Sequence, residues 1–455
     1  MTPSETTTVQ PVTGGATATV AAALLGFFVV TLDAVVVNVA LPAVRADLGG
    51  GITGLQWVID GYTLMFAAFL LSAGSLADRI GAKRAFGLGV AVFVLSSLAC
   101  GVAPTLPTLV VCRLLQGAAA AVVMPSSMAL IGQAFPDRVR RARAVAVWAM
   151  GGAVASSAGP VLGGVLTLAS WRWIFLINLP AGAVALALLA RVAPSAHHRV
   201  PFDRPGQITG VLAMAASVYG AIEAGRAGLT APHVVAAFVV AVASMVVFVL
   251  VERRVAAPML PLELFRSRIV VTVVVIGFAF MVGYYGMPFV LSLLLQNQGL
   301  SAVRTGVVFL PMMLAGLVLT PLVPRVTERT GTRPVVVTGL ALMTAGLAVV
   351  ALLPATTPTW VIAAVMVLVG LGGPTVIPPV IAVLLGAVDA ARAGTASGVL
   401  NTSRQLGGAL AVAVFGALLN TPSGLAAGMR VSLLLAAAVA AAAAFAAFAG
   451  LRTSH

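Results

Sequence analysis

Long apolar runs follow one another along the whole chain, and short polar segments separate them. A helical run of about 17–25 apolar residues crosses the roughly 30 Å hydrocarbon core of a bilayer. No run alternates apolar and polar residues as a strand does, and lipid cannot satisfy exposed backbone groups. The pattern therefore predicts an all-α membrane protein.

Fourteen spans can be placed in the sequence, each boundary being set to within roughly two to four residues. They cover residues 20–43, 54–77, 85–103, 106–132, 142–168, 173–191, 206–224, 233–251, 269–295, 304–325, 334–353, 358–386, 394–420 and 428–450.

The composition excludes a soluble domain. Of the 455 residues, 60% are hydrophobic and only 8% are charged, whereas soluble domains contain about 25% charged residues. The formal net charge of +14 is explained by topology, because most of the 26 Lys and Arg residues fall in cytoplasmic segments when the N-terminus is placed inside. We expect a multi-pass protein of the cytoplasmic (inner) membrane, with both termini in the cytoplasm and no nucleic-acid partner.

An internal repeat divides the chain. The loop at 78–84 reappears in altered form at 328–334, an offset of 250, and Pro125 has a counterpart in Pro378, an offset of 253. Near-constant offsets indicate two duplicated halves. We predict a tail at 1–19, a six-helix half at 20–191, a linker with two extra spans at 192–268, a second six-helix half at 269–450, and a tail at 451–455.

Two six-helix repeats are the plan of many secondary transporters, which bind substrate between the halves near the middle of the membrane. The sequence has no G-x-x-x-x-G-K-[ST] phosphate loop, so an ATP-driven motor is not expected. Its cysteines and histidines form no metal-ligand pattern. We expect no cofactor, no metal and no enzyme activity. Each chain contains both halves, which favours function as a monomer.

Asp33 lies in the middle of the first span, where a carboxylate is costly unless it is protonated, paired or facing water. Counting helical rise places Asp33 and Arg113 about 20 Å above the cytoplasmic face, and Asp60 at roughly the same level. We expect these three side chains, from spans one, four and two, to form one cluster for proton coupling or substrate cations. Burial favours a neutral carboxyl group and a nearby arginine favours an ionised one, and this balance suits proton exchange.

The same residues also have structural interpretations. A fixed ion pair would explain Asp33 and Arg113, and a position in interfacial water would explain Asp60. Gln116 shares a helix face with Arg113, and Gly117 permits close approach of a neighbouring helix. Breaking and remaking a tie between Arg113 and an aspartate would itself couple protons to conformational change, so the interpretations overlap.

Four further features lie outside this cluster. The loop after span two is predicted to be a conformational latch, although its basic residues would also fix the topology; it contains Gly74, Asp78, Arg79, Gly81, Lys83 and Arg84. A small-residue stripe in span five suits close helix packing with a kink at the proline; it contains Gly159, Pro160, Gly163 and Gly164. Glu223 ends span seven as a supporting site or a merely interfacial charge. Arg404 in span thirteen has no partner that the sequence identifies.

Five segments in this order resemble the fourteen-helix drug:proton antiporter family of the major facilitator superfamily. They are residues 32–42, 74–84, 113–117, 159–164 and 171–180. The last reads Trp-Arg-Trp-Ile-Phe-Leu-Ile-Asn-Leu-Pro, and the resemblance extends over nearly the whole chain. The departures are modest, such as Pro334 in place of a basic residue in the repeated loop.

The resemblance implies a protein that rocks between inward- and outward-facing states and is driven by proton entry from outside. It implies that Asp33 carries the proton or engages a cationic substrate, and that Arg113 modulates it. Asp78 would help to lock one state, and the stripe at 159–164 would mark antiport rather than symport. Supporting positions are Asn38, Gln116, Gly117 and Glu223.

The favoured hypothesis is proton-driven export of hydrophobic, often cationic, drugs or antibiotics. Buried carboxylates beside aromatic residues such as Phe27, Phe66 and Tyr284 motivate it. The alternative is a dedicated exporter of a single endogenous metabolite or antibiotic, as in self-resistance. A non-transporting receptor or scaffold is a remote third hypothesis, and a channel fits the repeat plan less well than alternating access does.

Overall fold

The structure is a computed structural model that describes residues 13–195, 203–255, 258–354, 356–389, 392–420 and 424–451. Within these ranges, the side chains at positions 13, 14, 71, 75, 78, 138, 139 and 142 are outside the description. The helices are α1 (Thr13–Leu48), α2 (Gly51–Ile80), α3 (Ala82–Gly101), α4 (Leu106–Ala134), α5 (Arg138–Ala169), α6 (Trp173–Leu176), α7 (Asn178–Ala190), α8 (Arg204–Ala227), α9 (Pro232–Arg254), α10 (Arg268–Asn297), α11 (Ala302–Leu319), α12 (Val323–Thr330), α13 (Thr332–Leu352), α14 (Thr359–Gly386), α15 (Ala393–Leu419) and α16 (Leu425–Gly450), with a short 3₁₀ helix at Leu262–Arg266.

The predicted fold class is confirmed. The described chain is helical and contains no strand, and 13 stretches of it are helical, long and apolar enough to cross a membrane. The remaining predicted span corresponds to α2, a helix of 30 residues. Large apolar side chains such as Leu95, Leu168 and Phe445 are exposed, as a surface that contacts lipid requires.

Prolines interrupt two of the predicted spans. The span predicted at 173–191 is divided into α6 and α7 at Ile177, and Pro180 occupies the first turn of α7. The span predicted over 304–325 ends earlier than predicted, because α11 ends at Leu319 and a turn containing Pro321 precedes α12. A proline has no N–H to donate to the carbonyl four residues earlier, so each of these breaks has a local cause.

Glycines bring neighbouring helices into backbone contact. A Cβ atom on Gly117 of α4 would overlap the carbonyl oxygen of Tyr62 in α2. A Cβ atom on Gly370 of α14 would overlap the carbonyl oxygen of Met312 in α11 in the same way. From Gly117 to Gly370 is 253 residues and from Tyr62 to Met312 is 250, the offsets of the predicted repeat. Both contacts depend on the absence of a side chain.

The helix pairs that join the two predicted halves include α1 with α10, α2 with α15, and α5 with α11. The Gln56 side chain in α2 donates to the carbonyl oxygen of Ala413 in α15 at 2.6 Å. The Ser292 hydroxyl in α10 donates to the carbonyl oxygen of Asn38 in α1 at 2.7 Å. Both bonds lie toward the end of the bundle that carries the turn between α1 and α2, so the helices are tied together at that end.

The helices α8 and α9 form a hairpin beside this bundle, and α8 contacts both α2 and α15. Near its beginning, the Gln207 side chain donates to the carbonyl oxygen of Ala68 in α2 at 2.9 Å. Near its end, Gly225 lies against Ala417 of α15, and Asn420 donates to the Gly225 carbonyl oxygen at 3.3 Å. The single helix α8 is thus attached to helices of both predicted halves.

Candidate functional site around Asp33

A mainly apolar cavity lies between α1, α5, α10 and α11. Its lining includes Val35, Asn38, Pro160, Tyr284, Tyr285 and Phe309. Asn38, Tyr284 and Tyr285 are the lining residues that carry polar groups, and the rest of the lining is apolar. Apolar walls with few polar groups are typical of a small-molecule site. The volume in this conformation is about 30 Å³, room for one or two water molecules, so the cavity must widen to admit a substrate.

Asp33 is completely buried. It directly precedes Ala34 and Val35, two residues of α1 that line the cavity. Its Oδ2 forms an ion pair with Nη1 of Arg113. Its Oδ1 accepts one hydrogen bond from Gln116 Nε2 and another from Asn178 Nδ2, each at 2.9 Å. The carboxylate is therefore charge-paired at one oxygen and hydrogen-bonded at the other.

Arg113 is buried and contacts several groups besides Asp33. It is 1% exposed, and its Nε donates to the carbonyl oxygen of Val58 in α2 at 2.9 Å. Its guanidinium group lies 4.3 Å from the ring centroid of Tyr62, a distance at which a cation is attracted to the ring face. The Tyr62 hydroxyl donates to the Val30 carbonyl oxygen at 3.1 Å. The ion pair thus connects α1, α2 and α4.

Two polar side chains that sequence reasoning did not select complete this network. Ser97 Oγ in α3 accepts hydrogen bonds from Asn178 at 3.0 Å and from Gln116 at 3.1 Å, and donates to the Phe175 carbonyl oxygen at 2.9 Å. Asn178 belongs to the segment 171–180 that carries the family resemblance. The available signal was its amide, which follows the outer end of span six at nearly the depth of Asp33.

Asp60 is fully buried but does not join this network. One turn earlier, Gln56 contacts α15, and one turn later, Leu64 packs in a cluster with Ile222 of α8 and Ala413 of α15. Asp60 therefore lies on the face of α2 that is turned toward α15 and α8. No described residue donates a hydrogen bond to either of its carboxylate oxygens. The predicted cluster of three ionisable groups is instead a pair and a separate acid.

The supporting residues are in different places. Gly117 contacts the backbone of Tyr62, which carries the ring beneath Arg113. Asn38 lines the cavity. Glu223, at the far end of α8, forms an ion pair with Arg226 at 2.7 Å and lies 3.6 Å from His233 Nε2. The contacts of Glu223 are thus local to the α8–α9 hairpin and do not involve Asp33.

The predicted latch is a tight turn between α2 and α3. Gly81 has a φ of 87°, which favours glycine at this position. The Lys83 backbone N–H donates to Ser195 Oγ at 3.0 Å, and its ammonium group donates to the Val192 carbonyl oxygen. The side chain of Asp78 lies outside the described residues. Arg79 and Arg84, which are also predicted latch residues, are exposed. A Cβ atom on Gly74 would have no described neighbour within 4 Å. The latch function stays a prediction.

The small-residue stripe of α5 packs against neighbouring helices on two sides. A Cβ atom on Gly163 would lie 2.7 Å from the Val36 carbonyl oxygen in α1, and one on Gly159 would also contact α1. A Cβ atom on Gly164 would lie 2.6 Å from the Cα atom of Val303 in α11. Since α1 and α11 belong to different predicted halves, the stripe allows α5 to fit between them and to close one wall of the cavity.

An all-helical membrane protein with a buried ion pair beside a central cavity has the architecture of a membrane transporter. The profile described as Major Facilitator Superfamily matches residues 23–412. The chain belongs to the major facilitator superfamily.

Two curated relatives and one solved structure illustrate this membership. The chain is 36% identical to the methylenomycin A resistance protein of Streptomyces coelicolor, over 90% of this chain and 87% of that protein. It is 36% identical to the multidrug resistance protein Stp of Mycobacterium tuberculosis, over 87% of this chain and 74% of that protein. The crystal structure of a D-xylose-proton symporter has a TM-score of 0.71 at 13% identity and covers 96% of this chain and 98% of that one. That similarity concerns the fold.

Proposed function

We propose that this protein is a proton-driven antiporter that exports hydrophobic drugs or antibiotics across the cytoplasmic membrane by alternating access. The observation that carries the proposal is the buried Asp33–Arg113 ion pair, which lies directly behind the wall of the central cavity. An ionisable group at such a position in a membrane protein commonly serves a proton or ion pathway. The names of the relatives support export of antibiotics and several classes of drug.

Protonation of Asp33 would remove the charge that Arg113 neutralises. Arg113 would keep its bonds to Val58 and Gln116 and lose its ionic tie to α1. Because α1 forms part of the cavity wall and also contacts α10 of the other half, a change in this tie can bias the packing of the two halves. Proton binding from outside and release inside would then alternate with substrate release and binding.

With the predicted topology, the end that carries the turn between α1 and α2 faces outside. The Gln56–Ala413 and Ser292–Asn38 bonds close the bundle at that end. The structure then corresponds to a conformation that is closed to the outside, which is the state that loads an exported substrate from the cytoplasm. This assignment depends on the positive-inside distribution of basic residues.

The transport experiment uses purified protein in proteoliposomes with an imposed pH gradient. A panel with a hydrophobic cationic dye, an uncharged drug and methylenomycin A is offered to the vesicles. We expect accumulation that requires the gradient and stops when a protonophore is added. Gradient-independent accumulation would contradict antiport. Protection of cells against one compound only would favour the dedicated exporter, whereas protection against several would favour the drug exporter.

Asp60 is proposed to be a second proton acceptor, because its buried carboxylate has no described hydrogen-bond partner. Substrate added to detergent-purified protein in weak buffer is expected to release protons. We expect Asp60→Asn to reduce the number of protons released per substrate. We expect Asp33→Asn to reduce this number as well, because it removes the other proposed proton acceptor. Leu64→Ala, one turn away on the same face, is the control for altered packing. Unchanged stoichiometry in Asp60→Asn would remove Asp60 from the proposal.

Asn178→Ala tests the amide that fixes Asp33. We expect gradient-driven transport to fall about tenfold, since losing one hydrogen bond to a charged group costs roughly 1.5–3 kcal/mol. Its pH dependence is expected to shift, because the removed donor contacts the carboxylate that is proposed to exchange the proton. Thr167→Ala, which removes a hydroxyl that bonds only within its own helix, is the control. An unaltered pH profile in Asn178→Ala would indicate a purely structural amide.

A further inference from the structure

Arg404 is a membrane-embedded cation for which the described residues provide no anion. It lies in α15 against α10, where a Cβ atom on Gly277 would be 3.1 Å from Arg404 Cγ. Its Nη1 donates to Asn401 Oδ1 at 3.0 Å. Its Nε is buried and has no partner among the described residues. The ion pairs formed by described residues do not include Arg404.

The comparison with Arg113 makes this arrangement informative. Both arginines lie within long apolar helices, Arg113 two turns into α4 and Arg404 near the middle of α15, and a guanidinium group at such depth is expected to be paired. Arg113 is 1% exposed and has Asp33 as its counter-charge. Arg404 is half-buried, so part of its side chain remains accessible, and it has only a neutral amide. Of the two arginines, Arg404 is the one that can still accept a negatively charged partner.

Arg404 lies along the wall that continues from the central cavity. Gly277 precedes Tyr284 by seven residues in α10, which places both on one helix face about 10 Å apart. Tyr284 and Tyr285 line the cavity and are the electrostatic neighbours of Arg404. A Cβ atom on Gly408, one turn after Arg404 in α15, would lie 3.5 Å from Tyr285 Cβ. A ligand that lies against these tyrosines and extends along this face of α10 would therefore approach the guanidinium group.

We propose that Arg404 binds the ionised acidic group of an amphipathic organic acid whose apolar body lies against Tyr284, Tyr285 and Phe309 when the cavity is wider than in this conformation. A guanidinium group presents a planar pair of donors that matches a carboxylate. The Asn401 amide, which now occupies one of these donors, also has an N–H₂ group that can contact the same anion. The proposal deepens the proposed export function, on which its transport consequence rests, by giving it acidic rather than cationic substrates.

The test measures equilibrium binding of 4-(pyren-1-yl)butyrate and its primary amide to purified protein in detergent, by fluorescence titration at a pH that ionises the acid. We expect the wild type to bind the acid about tenfold or more tightly than the amide, as a charge-assisted bond implies. Arg404→Gln is expected to lose this preference with little change in amide affinity. Arg404→Lys is expected to retain part of it, and the exposed Arg304→Gln all of it.

Several results would overturn the proposal. They are equal affinities for acid and amide in the wild type, absence of saturable binding of the acid, or equal weakening of both probes by Arg404→Gln. Pairing of Arg404 with Asp60 in another conformation would also contradict the proposal. In that case Arg404→Gln would weaken the binding of both probes, and the double variant Asp60→Asn/Arg404→Gln would restore it. Binding in detergent needs no gradient. Acid preference without gradient-driven transport would therefore reject the proposed antiport and keep the inference.

Discussion

Replacing Asp33 by asparagine is expected to abolish transport driven by a pH gradient while leaving a protein that still binds substrate. Asparagine matches the shape of aspartate and can retain the bonds from Gln116 and Asn178, but it cannot exchange a proton. The substitution also leaves Arg113 as a buried charge without a counter-charge, which typically destabilises a protein by roughly 3–5 kcal/mol. Proteoliposome transport, thermal unfolding and substrate binding of the same preparation separate these effects.

Two variants make the result interpretable. Asp33→Glu retains a carboxyl group and is expected to retain part of the gradient-driven transport. The double variant Asp33→Asn/Arg113→Gln removes both charges and is expected to recover thermal stability without recovering transport. Transport by Asp33→Asn at the wild-type rate would show that the proton uses another residue, and Asp60 would then be the first candidate.

Gly117→Ala is expected to disrupt the contact between α2 and α4 and, through it, the position of Arg113. The added Cβ atom would lie 2.8 Å from the carbonyl carbon and 2.9 Å from the Cα atom of Tyr62, so the backbones must separate. Overpacking of this kind typically destabilises a protein by about 1–3 kcal/mol. Because Tyr62 and Val58 both contact Arg113, we expect lower thermal stability together with weaker transport.

The same helix provides a matched control. Gly132 is also in α4, and a Cβ atom there would meet no atom within 4 Å. Gly132→Ala is therefore expected to be neutral or slightly stabilising, since alanine favours a helix over glycine by about 1 kcal/mol. Equal melting temperatures for Gly117→Ala and Gly132→Ala would contradict the importance of the close contact.

The sequence predicts the depth of a residue in the membrane, but it does not predict on which side of its helix the side chain lies. Counting residues from the span ends placed Asp33 and Arg113 at one depth, and the structure brings them together. The same counting placed Asp60 at that depth, yet its side chain lies on the face of α2 turned toward α15. The apolar runs cannot reveal that face, because a membrane helix has apolar residues on all sides and only a weak periodic signal.

Ser97 and Asn178 were missed for a related reason. A hydroxyl or amide group in a span is common and carries no formal charge, so neither stands out as Asp33 does. Their importance comes from the crossing of α3, α4 and α7, which brings both to the same carboxylate network. Only the packing of the helices selects them, whereas the spans themselves follow from length and hydrophobicity.

The position of α8 makes its tilt a measure of the transport cycle. This helix of 24 residues, about 36 Å long, contacts α2 at Gln207 and again at Tyr219, and its end is hydrogen-bonded to Asn420, directly after α15. If the two halves rotate against each other, α8 must either follow α2 and shift against α15 or change its angle to both. A pair of fluorophores on α8 and α9, read against a third on α2, would follow that angle during turnover without touching the cavity.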